Sequence, residues 1–144
     1  NGAAAPLATV WSIDKNGNQT GFGSILSASP SGGIGYSTGA GGAVTQAIGK
    51  STAVTLNTVA GWITTHNASL GAGAQISFTV NNSTVAATDL INIHRASGGT
   101  ANAYNVTIDS VAAGSFVVRV TNISGGALGE AIVLVFTVTK AVTN

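Results

Sequence analysis

The groups in this sequence that could move a proton, ligate a metal or activate a nucleophile are few: Asp14, Asp89, Asp109, Glu130, His66, His94, Lys15, Lys50 and Lys140. A glycosidase needs two carboxylates about 5–9.5 Å apart. Asp89 and Asp109 could face each other across strands, although polar outward positions near strand ends explain both. The residues two places from the imidazoles are Thr64, Ala68, Asn92 and Ala96. Neither histidine therefore has a same-face ligand on its own strand, and a metal site would need the fold to join them. Asp89 and Arg95 stand six apart, about 20 Å at the strand rise, too far to pair. Gly49-Lys50-Ser51 invites a phosphate-loop reading, but the glycine required five places earlier is Val44, and a strand-like run follows where a helix should begin. A Gly turn with an exposed lysine is expected there. Gly33-Ile34-Gly35 lacks the third glycine of a dinucleotide loop, with Ser37-Thr38 in its place. No Gly-x-Ser-x-Gly elbow is expected, and no serine sits on a recognisable strand-to-helix turn. No catalytic, cofactor-binding or metal-ligating residue is assigned, no cofactor is expected, and the chain reads as a non-enzyme.

Composition supports that reading. Of 144 residues, Lys+Arg number 5 and Asp+Glu 4, so charged residues are 6% of the chain, against about 25% in ordinary domains. Five scattered cations cannot neutralise a run of phosphates, so nucleic-acid partners are not expected. Hydrophobic residues at 44% exclude a disordered chain. Cysteine is absent, which removes disulfides, thiolate metal sites and a thiol nucleophile. The longest dense apolar run, residues 131–136, falls far short of the ~20 residues of a membrane helix. No charged segment precedes an apolar one near Asn1, so no signal peptide is expected. A surface of Thr, Ser and Asn with so little charge suits a subunit packed in an assembly.

The elements that must carry these residues read as strands. Residues 74–81 alternate Ile76, Phe78 and Val80 against Gln75, Ser77, Thr79 and Asn81, the period of a half-buried strand. Residues 103–111 repeat this with Tyr104, Val106 and Ile108. Residues 115–121 place Phe116, Val118 and Val120 inside and Arg119 outside. Residues 130–139 are apolar on both faces, which predicts a central strand or one covered by a neighbouring subunit. Residues 52–57, 61–66 and 89–95 are shorter candidates. Asn81-Asn82-Ser83, Ser97-Gly98-Gly99, Ala113-Gly114 and Ser124-Gly125-Gly126 supply turn chemistry between them. The spacing predicts an all-β, antiparallel β-sandwich of jelly-roll or Ig-like type over residues 51–144.

Residues 1–50 differ. Asp14-Lys15-Asn16-Gly17 predicts a hairpin turn between residues 8–14 and 19–26. Residues 27–49 are rich in Gly and Ser, which predicts an extended arm ordered by a neighbour and not by its own core. Asn-x-Ser/Thr triplets at Asn18, Asn67, Asn81, Asn82, Asn105 and Asn122 are expected from composition alone. Trp11, Trp62, Tyr36 and Tyr104 are too dispersed along the sequence for a stacking platform and read as core or interface anchors.

One stretch resembles a module recurrent in virion structural proteins of tailed bacteriophages and their prophages. It runs Ser31-Gly32-Gly33-Ile34-Gly35-Tyr36-Ser37-Thr38-Gly39-Ala40-Gly41-Gly42-Ala43-Val44-Thr45-Gln46, then Gly49-Lys50-Ser51-Thr52-Ala53-Val54-Thr55-Leu56-Asn57. The likeness continues through Ser77-Phe78-Thr79-Val80, Ala86-Ala87-Thr88-Asp89 and Ala112-Ala113-Gly114-Ser115 to Gly125-Gly126-Ala127-Leu128-Gly129-Glu130-Ala131-Ile132-Val133-Leu134. Residues 11–21 are similar to strand–Asn-Gly–strand pieces of phage fibre and head proteins. The resemblance implies a structural component on the virion surface, a homo-oligomer and by expectation a trimer, with the major capsid protein or another virion protein as partner. A capsid decoration or cement role leads. A tail or head fibre module for host recognition, with contact loops at residues 97–102 and 124–129, is the alternative, followed by a bacterial adhesin domain. The resemblance implies no catalytic residue.

Overall fold

The computed structural model describes residues 11–15, 19–21, 31 and 35–142. Every regular element among them is a strand, and no helix is long and apolar enough to cross a membrane. The chain divides into two units, residues 1–35 and 36–144.

In the first unit, β1 (Trp11–Ile13) pairs antiparallel with β2 (Gln19–Gly21), Trp11 opposite Gly21. The hairpin read from Asp14-Lys15-Asn16-Gly17 thus has its two strands, while residues 8–10, 16–18 and 22–26 of that hairpin, like 27–30 and 32–34 of the expected arm, lie outside the described residues.

The second unit is a sandwich of two four-stranded sheets. One holds β3 (Gly41–Thr45), β5 (Ala60–Thr64), β10 (Ile132–Thr139) and β7 (Leu90–Gly98), in that order. The other holds β4 (Val54–Thr55), β6 (Gln75–Asn81), β9 (Ser115–Asn122) and β8 (Tyr104–Ala112). The all-β sandwich expected from the period-two pattern is therefore present, but its sheets are mixed and not purely antiparallel. The β3–β5 and β4–β6 pairs are parallel. From β3 to β8 every connection crosses between the sheets, so strands two apart in sequence return to the same sheet pointing the same way. Only β8–β9 is a hairpin within one sheet.

The core forms where the inward faces of β6, β9 and β10 meet. Phe78, Val80, Phe116, Val118, Val120, Ile132, Leu134, Phe136 and Val138 are buried there with Ile63 of β5. Phe116 and Phe136 join the sheets edge to face, ring centroids 5.2 Å apart at 61°, a preferred aromatic geometry. β10 is central in its sheet, between β5 and β7, with Ile132, Leu134, Phe136 and Val138 buried on its inward face and Val133, Val135 and Thr137 partly covered on the other. In β8 the register slips between Ile108 and Ser110. Asp109 is the extra residue of a bulge, and Val111 rather than Ser110 turns toward the core. Gly61 admits no side chain: a Cβ there would stand 2.5 Å from Leu56 Cδ2 and 2.8 Å from Phe136 Cε1.

The sandwich begins before residue 51, the boundary expected from composition. Residues 41–45 are the edge strand β3, Val44 packs against the core, and Gln46 and Lys50 are buried. Glycine-rich sequence can be ordered here because parallel pairing with β5 satisfies its backbone and Leu56 packs over Gly42 and Gly61.

Candidate functional site

From Lys50 onward the charged side chains act as braces. Gln46 folds the loop after β3 around itself: its Nε2 donates to the Lys50 carbonyl (3.0 Å) and the Thr52 carbonyl (2.8 Å), and its Oε1 accepts from the His66 N–H (3.0 Å). Lys50 is then turned inward, only 7% exposed, and its Nζ donates to the main-chain carbonyls of His66 (2.5 Å) and Glu130 (2.7 Å). Burial pulls its pKa below the usual lysine value, the Glu130 charge opposing. The exposed lysine expected in Gly49-Lys50-Ser51 is instead a buried strut, because three backbone segments supply its acceptors and its loop.

The Glu130 carboxylate faces the other way and holds the β7–β8 loop. It accepts from the Thr100 N–H (2.5 Å) and, more weakly, from the Thr100 hydroxyl (3.3 Å). The Thr100 backbone bond is the first cause of a pKa held below the usual carboxylate value. Tyr104 lies beside it without a hydrogen bond of ordinary geometry. Burial first, then the nearby carboxylate, pushes its phenol up to about 12.

The remaining acids and bases are separated by the fold. Asp109 accepts from Arg119 Nε and Ser77 Oγ, both at 2.9 Å, on the outer face of the β4-β6-β9-β8 sheet. Asp89, at the entry to β7 in the other sheet, accepts from the Ala86 N–H (2.8 Å) and Lys140 Nζ (2.6 Å). The Ala86 bond, then Lys140, lowers its pKa. The two aspartates that could have formed a glycosidase pair thus serve different sheets and different cations. Arg95 donates to the Gly98 carbonyl. His66 Nδ1 accepts from the Ala68 N–H (2.9 Å), and His94 is exposed on β7 opposite Val135. Among the described residues no three His, Asp or Glu side chains converge on one point.

Two of the Asn-x-Ser/Thr triplets are structural. Asn82 and Asn122 are fully buried, whereas Asn67, Asn81 and Asn105 are exposed and Asn18 lies outside the described residues.

Two aromatic residues far apart in sequence come together. Tyr36 and Trp62, each 49% exposed, line one open cleft of about 640 Å³ with Ser37, Thr38, Gly39, Gly41, Gly42, Ala43 and Ala60. Trp62 stands on β5 between Ala43 of β3 and Val135 of β10. Tyr36 is anchored by its hydroxyl, which donates to the Val138 carbonyl. No lining residue is charged. The sequence hid this cleft because β3 and β5 are joined by parallel pairing. Against the expectation of no such motif, Gly35-Tyr36-Ser37-Thr38-Gly39 in the same wall spells the Gly-x-Ser-x-Gly order of a nucleophile elbow. The elbow requires a strand-to-helix turn. Here the segment is a loop leading into edge strand β3, and no histidine or carboxylate lines the cleft.

The described residues from 36 onward therefore define an all-β sandwich with internally tied charges and an uncharged aromatic cleft. Comparison with protein-family models, curated proteins and solved structures gave no match.

Proposed function

We propose that this chain is a non-enzymatic structural protein of a bacteriophage virion, a capsid decoration or cement protein that sits on the particle surface as a homotrimer and stabilises the head against the major capsid protein. The observation that carries the reading is the use of charge. Every charged side chain from Lys50 to Lys140 ties a loop or strand within the sandwich, which fits a rigid subunit and leaves none grouped for proton transfer. The end of the sandwich braced by Lys50 and Glu130 also presents two aliphatic residues, Ile48 at 82% and Ile123 at 58% exposure, to a neighbour. The mechanism is passive: area buried between subunits across capsomer junctions resists outward pressure. Immunogold electron microscopy of intact particles tests it. Label distributed over the shell supports decoration, label confined to the tail supports a fibre, and unlabelled particles reject a virion role.

The second reading, a recognition module of a tail or head fibre, is favoured by the Tyr36–Trp62 cleft. The loops expected to make contact, residues 97–102 and 124–129, carry no aromatic ring of their own. The first is fixed by Glu130 and by positive φ at Gly98, Gly99 and Asn102, and the second by Asn122 and the Leu70–Leu128 bridge.

A further inference from the structure

We infer that the Tyr36–Trp62 cleft is a binding site for a neutral saccharide. Three observations bear on the ligand. First, both aromatic rings are half exposed, Trp62 on a fixed backbone and Tyr36 held by its hydroxyl. Trp62 is set in the middle of a paired strand, and the Tyr36 hydroxyl is bonded to the Val138 carbonyl. A ring held before binding loses little side-chain entropy on contact. Second, the walls between them are Gly41, Gly42, Ala43 and Ala60, which leave the rings uncovered, while Ser37 and Thr38 add hydroxyl groups. A pyranose ring matches this mixture, with an apolar C–H face for an aromatic ring and hydroxyls at its rim for hydrogen bonds. Third, the lining carries no charge. A sulfated, sialylated or uronic-acid ligand would lose hydration there without gaining a counter-charge. A phosphate or a charged peptide fails for the same reason. The cleft is open rather than enclosed, which suits consecutive units of a longer glycan.

The site lies at the β3–β5 edge, away from the end that carries Ile48 and Ile123. It does not rest on the virion reading. The subunit can be on the shell without binding sugar, and the isolated protein can bind sugar whatever its location.

The test uses the full chain carrying Trp11→Phe, which leaves Trp62 as the one indole of the sequence. Its fluorescence is titrated with maltohexaose, cellohexaose, a β-1,3-glucan hexaose and N-acetylchitohexaose, with a uronic-acid hexasaccharide as the charged control. At least one neutral hexasaccharide is expected to shift the emission saturably, and the control is not. In otherwise wild-type protein, followed by calorimetry, Trp62→Ala should weaken that ligand about tenfold or more, the loss typical of a truncated aromatic anchor. Thr38→Arg, placed in an exposed loop where folding is not at stake, should weaken it as well. Absence of a shift with every neutral ligand overturns the inference, as does binding that survives both substitutions. A change of oligomeric state in Trp62→Ala, with no sugar bound by the parent, overturns it in favour of a contact between copies.

Discussion

Asn82 and Asn122 perform the same task at opposite ends of the β6–β9 strand pair. The Asn82 side-chain oxygen accepts from the N–H and hydroxyl of Thr84, and that of Asn122 from the N–H and hydroxyl of Ser124. Each amide group then closes a loop from another part of the chain. Asn82 Nδ2 donates to the Thr58 carbonyl at 2.7 Å, and Asn122 Nδ2 donates to the carbonyls of Leu70, Gly71 and Gly126 at 2.7–3.0 Å. These side chains fold the strand ends, and their burial closes both positions to glycosylation in the folded protein.

Asn82→Ala and Asn122→Ala should both destabilise, by similar amounts. Each strands an N–H, that of Thr84 or of Ser124, while the Leu70, Gly71 and Gly126 carbonyls tied by Asn122 keep a second donor in the Leu128 N–H, the Ala74 N–H and the Ser124 hydroxyl. A buried group left without its partner costs about 1–3 kcal/mol. The expected loss is about 1–3 kcal/mol at each position. Urea unfolding of the two variants, with unchanged slope, measures both losses.

Gly61→Ala should destabilise the sandwich by about 1–3 kcal/mol through overpacking. The added methyl meets Leu56 and Phe136, which join the two sheets. Leu56→Ala in the same chain should recover part of the loss, which a double-mutant cycle measures.

Stability should fall in acid. Asp89 and Glu130 both have folded-state pKa values below their unfolded ones. Their contribution is complete above the unfolded carboxylate values, about pH 4, and is lost as pH drops through the lower folded values. Thermal unfolding from pH 7 to pH 2 should show the midpoint flat above about pH 5 and falling below about pH 4. Asp89→Asn should start lower and lose less on acidification.

A chain beginning at Tyr36 should keep a cooperative unfolding transition. A chain beginning at Ser51 should lose much of its stability, because it lacks β3, the Gln46 bonds and the Lys50 strut. Differential scanning calorimetry of the two truncations places the boundary of the sandwich.

The strands that were legible in the sequence are those with one face in the core. Phe78 and Val80, Phe116 to Val120, and Ile132 to Val138 alternate as burial demands. What alternation cannot report is the partner of a strand, so the parallel β3–β5 and β4–β6 pairs were not visible. The bulge at Asp109 was hidden because an extra residue changes no residue type. Lys50 looked like a surface turn residue because its acceptors belong to residues 66 and 130, the latter 80 positions away. The same distance effect concealed the cleft: Tyr36 and Trp62 become neighbours only when β3 is laid against β5. Glycine-rich composition read as an arm ordered only by a neighbour, yet residues 41–45 are a strand of the sandwich, since composition reports what a segment cannot bury alone and not what it can pair with.

Quantitative mass spectrometry of purified particles, giving the copy number of this chain relative to the major capsid protein, tests the virion role most directly. A decoration protein requires hundreds of copies in a fixed ratio to the capsid subunits. A handful of copies would contradict decoration in favour of a fibre, and a chain absent from the particle would contradict the structural role altogether.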